Sequence, residues 1–143
     1  MKAVADQLDA ILHQYYEALL HIGDGVTVQP APGKWSKMEI MGHLIDSAQN
    51  NIQRFIRVQY ESEVGISYNQ DAWVKAQHYN QWPPDDLIQL WRLLNKQVSI
   101  ILKNFPEERK NARVAMGREK WTAEAIAQDY IRHLIHHLNQ IIS

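Results

Sequence analysis

Apolar side chains recur at three- and four-residue intervals in four separate stretches of this chain, and packed α-helices are the arrangement that buries four such stripes together. The first stretch spans residues 4–21, where Val4, Leu8, Ile11, Leu12, Tyr15 and Leu19 keep the helical period until Gly23 and Gly25 end it. The second opens at Ser36-Lys37-Met38-Glu39. This is a capping-box sequence, in which the Ser36 hydroxyl and the Glu39 carboxylate each accept from an amide that the first turn leaves unpaired. Met38, Met41, Ala48, Ile52 and Phe55 carry its stripe to about residue 60. Pro83-Pro84-Asp85-Asp86 starts the third, because proline is tolerated in a first turn and acidic groups suit the positive end of the helix dipole. It continues through Leu87, Trp91, Leu94, Val98 and Leu102 to the stop at Phe105-Pro106. The fourth follows Trp121-Thr122, with Thr122 as N-cap, and runs to Ile142.

The connections are long. Residues 23–35 hold Pro30, Pro32 and three glycines, the composition of a surface loop. Residues 63–84 lose the period and form a polar, aromatic crossover with a short helix expected near residues 71–78. Residues 107–120 are polar, and no strand pattern competes anywhere. The expectation is an all-α fold, one domain over residues 1–143, built as a four-helix bundle with long crossover connections.

Composition narrows the chemistry. There are no cysteines, which excludes disulfides, thiolate metal sites and a cysteine nucleophile, so any metal must be held by nitrogen and oxygen. A net charge of −1 with no basic run argues against nucleic acid as a partner. No stretch approaches the ~20 apolar residues of a membrane span, and the N-terminus has no apolar signal segment, so no membrane association and a cytoplasmic location are expected.

Seven histidines remain as candidate ligands. At 100° per residue, His137 lies about 40° from His133 toward the apolar face of the last helix, while His136 lies about 60° the other way, toward solvent. His133 and His137 are i,i+4 neighbours, about 5–6 Å apart at Cβ, so both rings can reach one ion. On the second helix His43 shares a polar stripe with Ser47, Asn50 and Arg54, which borders the apolar stripe and suits the wall of a cleft.

The run from Lys34 through Trp35-Ser36, Gly42-His43 and Asp46-Ser47, followed by Trp121-Thr122 and by His133-Leu134-Ile135-His136-His137, resembles the DinB/YfiT-like superfamily over nearly the whole chain. The resemblance implies up-down-down-up connectivity, often as a homodimer, and a metal held by His43, His133 and His137; histidine nitrogen suits zinc, nickel, iron and copper, and the expectation is a divalent ion with zinc first and nickel second. Asp46, Asn50, Arg54 and the Gln70-Asp71-Ala72-Trp73 segment are pocket candidates on the same grounds. Relatives include transferases and isomerases that use low-molecular-weight thiols.

Three functional readings follow, two of them catalytic. The first is a metal-dependent transferase acting on a small molecule with a thiol as co-substrate, Arg54 anchoring an anionic group and Asn50 donating a hydrogen bond. The second is a metal-dependent hydrolase with Asp46 or Asp71 as general base. The third is a non-catalytic metal- or small-molecule-binding domain with Trp35, Trp73, Trp82 and Trp121 as an aromatic pocket.

Overall fold

A computed structural model describes residues 1–143. In chain order the elements are α1 (Lys2–Leu20), α2 (Lys37–Arg57), β1 (Val64–Gly65), α3 (Gln70–Gln77), α4 (Pro84–Lys103), β2 (Arg113–Met116), β3 (Glu119–Thr122) and α5 (Ala123–Ile142), with single 3₁₀ turns at Tyr79–Gln81 and Glu107–Arg109. The four long helices begin and end within a few residues of where the period and the caps place them.

Each start has a local cause. Ser36 Oγ accepts from the Glu39 amide at 3.1 Å, and Glu39 Oε1 accepts from the Ser36 amide at 3.0 Å, closing the capping box of α2. Thr122 Oγ1 caps α5 by accepting from the Ala125 amide at 3.1 Å, and Asn69 does the same for α3 through the Ala72 amide at 3.0 Å. Pro84 occupies the first turn of α4, where its missing N–H costs nothing.

Around the bundle the helices follow the order α1, α4, α2, α5, so each helix of the sequential pair α1 and α2 packs on α4 and α5 rather than on the other. Cross-helix contacts fix the directions. Ser99 near the end of α4 donates to Asp9 near the start of α1 at 2.5 Å, while Tyr16 further along α1 donates to Gln89 early in α4 at 3.2 Å, an antiparallel pair. Lys37 at the start of α2 reaches the C-terminal residue Ser143, and Phe55 near its end meets Tyr130, so α2 and α5 are antiparallel as well. Tyr15 donates to Asn139 at 2.8 Å, joining the C-terminal halves of α1 and α5. The result is up-down-down-up, with α2 and α4 parallel, as the long crossover over residues 58–83 allows.

Burial follows the stripes: Leu8, Leu19, Ala48, Leu87, Trp91, Val98, Leu102 and Leu138 are sealed in one core. One polar link crosses it, Tyr130 Oη donating to Asn95 Oδ1 at 2.6 Å while Asn95 Nδ2 donates to the Trp91 carbonyl at 2.9 Å. A buried amide and hydroxyl satisfied in this way fix the lateral register of α4 against α5.

The expectation of no strands is corrected by a small three-stranded sheet. β1 pairs parallel with β2 (Val64 opposite Val114), and β2 pairs antiparallel with β3 (Val114 opposite Trp121). Strands of two and four residues are too short for alternation to register as a pattern. The signal that was there is Gly117-Arg118, a two-residue hairpin loop whose first residue has φ +65°, a region open to glycine. The sheet ties the crossover to the start of α5, since β3 ends on the residue that caps that helix.

Candidate metal centre

α2 and α5 cross with His43 facing His133 and His137. His43 lies in the second turn of α2, one turn past the capping box, and is 1% exposed, while His133 and His137 lie in the second half of α5 and are half-buried. Ring centroids stand 5.0 Å apart for His43 and His133, 4.9 Å for His43 and His137, and 4.5 Å for His133 and His137. His136, on the solvent side of the same helix, is exposed, as its angle requires.

Each of the three rings offers a nitrogen, and these atoms lie within 4.8 Å of one another. His43 Nε2 and His133 Nε2 are 3.1 Å apart. Two ring nitrogens at that distance either share one proton or turn two lone pairs on each other, and the second arrangement calls for a cation. Nitrogens bound at ~2.1 Å to one tetrahedral ion stand roughly 3.4 Å apart, so the closest pair is already at ligand spacing and the remaining spread is within the reach of imidazole torsions.

Electrostatics favours neutral rings. Burial lowers the His43 pKa from 6.5 to about 3, with the neighbouring imidazoles adding to the effect, and lowers that of His133 to about 4. His137 is shifted down as well, again chiefly by burial. A neutral imidazole is the form that ligates, so three histidine nitrogens, kept unprotonated and gathered at one point, fit a divalent transition ion. Orientation comes from two sources. His137 Nδ1 meets Gln140 Oε1 at 2.8 Å, which makes Nδ1 the donor and leaves Nε2 as the acceptor. His43 Nδ1 is buried without a protein partner, and its ring is held instead against Trp35, whose centroid is 4.8 Å away.

Beside the histidines opens a cavity of about 230 Å³. His43, Ser47, Asn51 and Arg54 line it from α2, Ile126, Asp129, Tyr130 and His133 from α5, Tyr68 and Gln70 from the crossover, and Met116 from β2. Arg54 is 6% exposed, donates to Asn51 Oδ1 at 3.1 Å and to the Ile66 carbonyl, and has no carboxylate partner. The only carboxylate in the wall, Asp129, accepts from Arg132 at 2.6 Å.

The remaining candidates sit elsewhere. Asn50, expected in the cleft, is buried with its Nδ2 on the Asp46 carbonyl at 2.8 Å, so its amide satisfies its own helix, and the adjacent Asn51 lines the cavity. Asp46 points to the other flank of α2, where Oδ1 accepts from Tyr79 Oη and from Gln77 Nε2, each at 2.5 Å. Burial raises its pKa from 3.8 to about 6. Asp71 is exposed in the first turn of α3 and borders a different depression, with Trp35 and His78. None of Trp35, Trp73, Trp82 and Trp121 lines the cavity: Trp73 packs on Tyr68, Trp82 on Tyr79, and Trp121 donates to Glu119 at 3.0 Å. Reading the sequence missed Asn51, Tyr68, Met116, Asp129 and Tyr130 as wall residues. Asp129 and Tyr130 lie four and three residues before His133 and were legible as one face of α5, whereas Tyr68 and Met116 come from segments without a period.

Comparison with known proteins agrees with this architecture. The structure of YfiT from Bacillus subtilis, described as a probable metal-dependent hydrolase with an unusual four-helix bundle topology, superposes with a TM-score of 0.86 at 20% identity, over 97% of this chain and 82% of that one. No curated protein matches the sequence significantly. The profile of the DinB superfamily matches residues 7–141, which is nearly the full length, and the chain belongs to that superfamily.

Proposed function

We propose that this chain is a metal-dependent enzyme acting on a small molecule, with His43, His133 and His137 holding one divalent transition ion. The observation that carries the reading is the meeting of three neutral imidazoles from two antiparallel helices at the edge of a cavity of about 230 Å³. Three protein ligands are the pattern of a catalytic rather than a structural ion, and an ion so held would supply Lewis acidity toward a bound carbonyl, water or thiol.

The chain's own residues define what else the site does. His43, fixed by Trp35, is the buried anchor, and the half-buried His133 and His137 close the set from α5. Burial keeps all three rings unprotonated near neutral pH. Tyr68 brings a polar group to the wall, while Tyr130, whose hydroxyl is committed to Asn95, adds ring surface beside the apolar Ile126 and Met116. The volume lies below the range of drug-sized pockets, which suits a small metabolite.

Hydrolysis and thiol transfer are the two reactions in view. Hydrolysis is supported by the similarity to YfiT, described as a probable metal-dependent hydrolase. Thiol transfer is supported by the wall chemistry: Asp46 and Asp71 lie outside the cavity, and the one carboxylate in the wall, Asp129, has its Oδ1 engaged by Arg132 and only its Oδ2 open, so groups able to act as general base are scarce. A thiol gives up its proton far more readily than water and needs such a base least. The reading expects zinc or nickel as the ion and a homodimer as the working assembly.

The test is to load the protein with zinc or nickel and to assay ester and amide hydrolysis beside transfer of small thiols to electrophiles. Activity on either panel that is lost in His43→Ala and His133→Ala, with both variants folded, supports the reading. Activity that survives in those variants overturns it.

A further inference from the structure

Arg54 is a buried cation without a counter-ion. Its partners, the Asn51 side-chain oxygen and the Ile66 carbonyl, are both neutral, and its Nε is buried with no acceptor at all. A guanidinium has five N–H donors in a fixed fork, so several stay unmatched. Leaving a charge unpaired out of water is costly unless something compensates it. The other charged group in the cavity wall is Asp129, partly exposed at the α5 side, with its Oδ1 taken by Arg132 Nε at 2.9 Å and Nη2 at 2.6 Å.

Arg54 lies eleven residues after His43 on one helix, about 20° away around the axis and about 16 Å further along it. Helical side chains lean back toward the N-terminus, so the guanidinium approaches the histidines more closely than its Cα does. Ser47 and Asn51 occupy the intervening turns and line the same cavity. A cavity with a three-histidine cluster at one end and an unpaired guanidinium toward the other has two recognition elements, one for a metal-seeking group and one for an anion.

We propose that Arg54 binds an oxyanion of the substrate, which is therefore a small organic acid carrying its carboxylate, or a phosphate or sulfonate, at the end remote from the atom that meets the three histidines. This inference rests on the metal reading above and adds the substrate class to it. Planar guanidinium matches such groups bidentately, and charge-assisted pairs of this kind are stronger than neutral hydrogen bonds.

The competing role for Arg54 is to pin the crossover through Ile66. That role changes stability, but it does not make the protein discriminate an acid from its amide. The experiment uses ω-mercaptoalkanoic acids with one to five methylenes and their primary amides, titrated calorimetrically into zinc-loaded protein. The thiol addresses the ion, and the two members of each pair differ in charge at the far end. At the best chain length the acid should bind about tenfold more tightly than the amide, the size of one charge-assisted hydrogen bond. Arg54→Gln should bring that ratio close to one, Arg54→Lys should keep part of it, and added salt should reduce it in the wild type. An acid-to-amide ratio near one at every length in the wild type, with both compounds binding, overturns the anion site and leaves the metal reading standing. A ratio that persists in Arg54→Gln overturns it equally. If zinc does not load at all, the metal reading has failed; if zinc loads but neither compound binds at any length, the anion site is overturned and the metal reading stands. Should Arg54→Gln not fold, the wild-type ratio, its salt dependence and Arg54→Lys still decide.

Discussion

The two flanks of α2 bury ionisable groups in opposite ways. On one flank Asp46 is enclosed by donors, Tyr79 Oη and Gln77 Nε2, and the Tyr79 ring lies so close to Gly42 that an added Cβ would stand 2.0 Å from it. On the other, His43 faces His133 with nitrogens 3.1 Å apart, and Arg54 has only neutral partners. Burial acts on both by one rule, disfavouring the charged form: it pushes the carboxyl up to about 6 and the imidazoles down to about 3 and 4. What differs is the setting. On the Asp46 flank Oδ1 accepts two bonds from within the chain and the buried Oδ2, the one atom left without a partner, is sealed under packed protein, whereas the histidine flank gathers ring nitrogens and the Arg54 guanidinium along a cavity, which is how a binding site looks.

Substitutions on the two flanks should therefore separate metal binding from stability. The largest effect is expected on the open flank, where His43→Ala or His133→Ala should weaken zinc binding on the order of 1000-fold, about 4 kcal/mol, with little change in the metal-free melting temperature for the half-buried His133 and a fall for the buried His43. Equilibrium competition with a chelator reads the first quantity and calorimetric melting the second. On the closed flank Gly42→Ala must displace Tyr79 and break the Asp46 bonds, at a cost of about 3 kcal/mol or more. The melting temperature should fall by roughly 10 °C, and a fall of under ~3 °C would show that Tyr79 does not anchor the crossover. Tyr79→Phe removes one hydroxyl from the same cluster and should cost about 1–2 kcal/mol while zinc affinity stays unchanged.

Acidity offers a finer discrimination. With folded pKa values of about 3 and 4 against an ordinary 6.5, His43 and His133 take up protons in the unfolded chain before they do in the native one. Metal-free protein should therefore lose stability as pH falls from about 6.5 toward 4, by up to about 1.4 kcal/mol per pH unit for each imidazole. Asp46 works against this. Its folded pKa of about 6 exceeds its ordinary 3.8, so its contribution is fully present below pH 3.8 and is lost as pH rises through about 6. Denaturant melts across pH 4–7 should show a shallower slope in His133→Ala and a steeper one in Asp46→Asn. Equal slopes in both variants would mean that the flanks are not charged as described. The smallest effect belongs to His136→Ala, which should change zinc affinity less than about twofold, because that ring is exposed and outside the cluster.

How much of this was readable in advance depended on whether a residue lay on a periodic element. Helix starts at Ser36, Pro84 and Thr122 were legible because capping is local chemistry, and the His133 and His137 pair was legible because helical angle separates His136 from its neighbours, whereas His43 joined it only through the family resemblance. Asn50 illustrates the limit of the method. Its angle places it on the polar stripe, yet its amide bonds the Asp46 carbonyl one turn back, a choice of side-chain torsion that no periodicity encodes. Asp46 and Asp71 looked equally suitable as bases in the linear sequence, and only the path of the crossover puts one beneath Tyr79 and the other in solvent. Likewise the sheet over residues 113–122 depends on pairing with residues 64–65, a contact made across the whole of α3 and α4.

Metal stoichiometry measured together with ligand identity tests the central claim most directly. Cobalt(II) titrated into metal-free protein, followed by visible absorption and by X-ray absorption at the cobalt edge, should give one ion per chain in a low-coordinate site with three imidazole ligands. Alanine at position 43, 133 or 137 should each remove that spectrum. Saturable binding of one ion with the same spectrum in all three variants, or no stoichiometric binding in the wild type, would contradict the account.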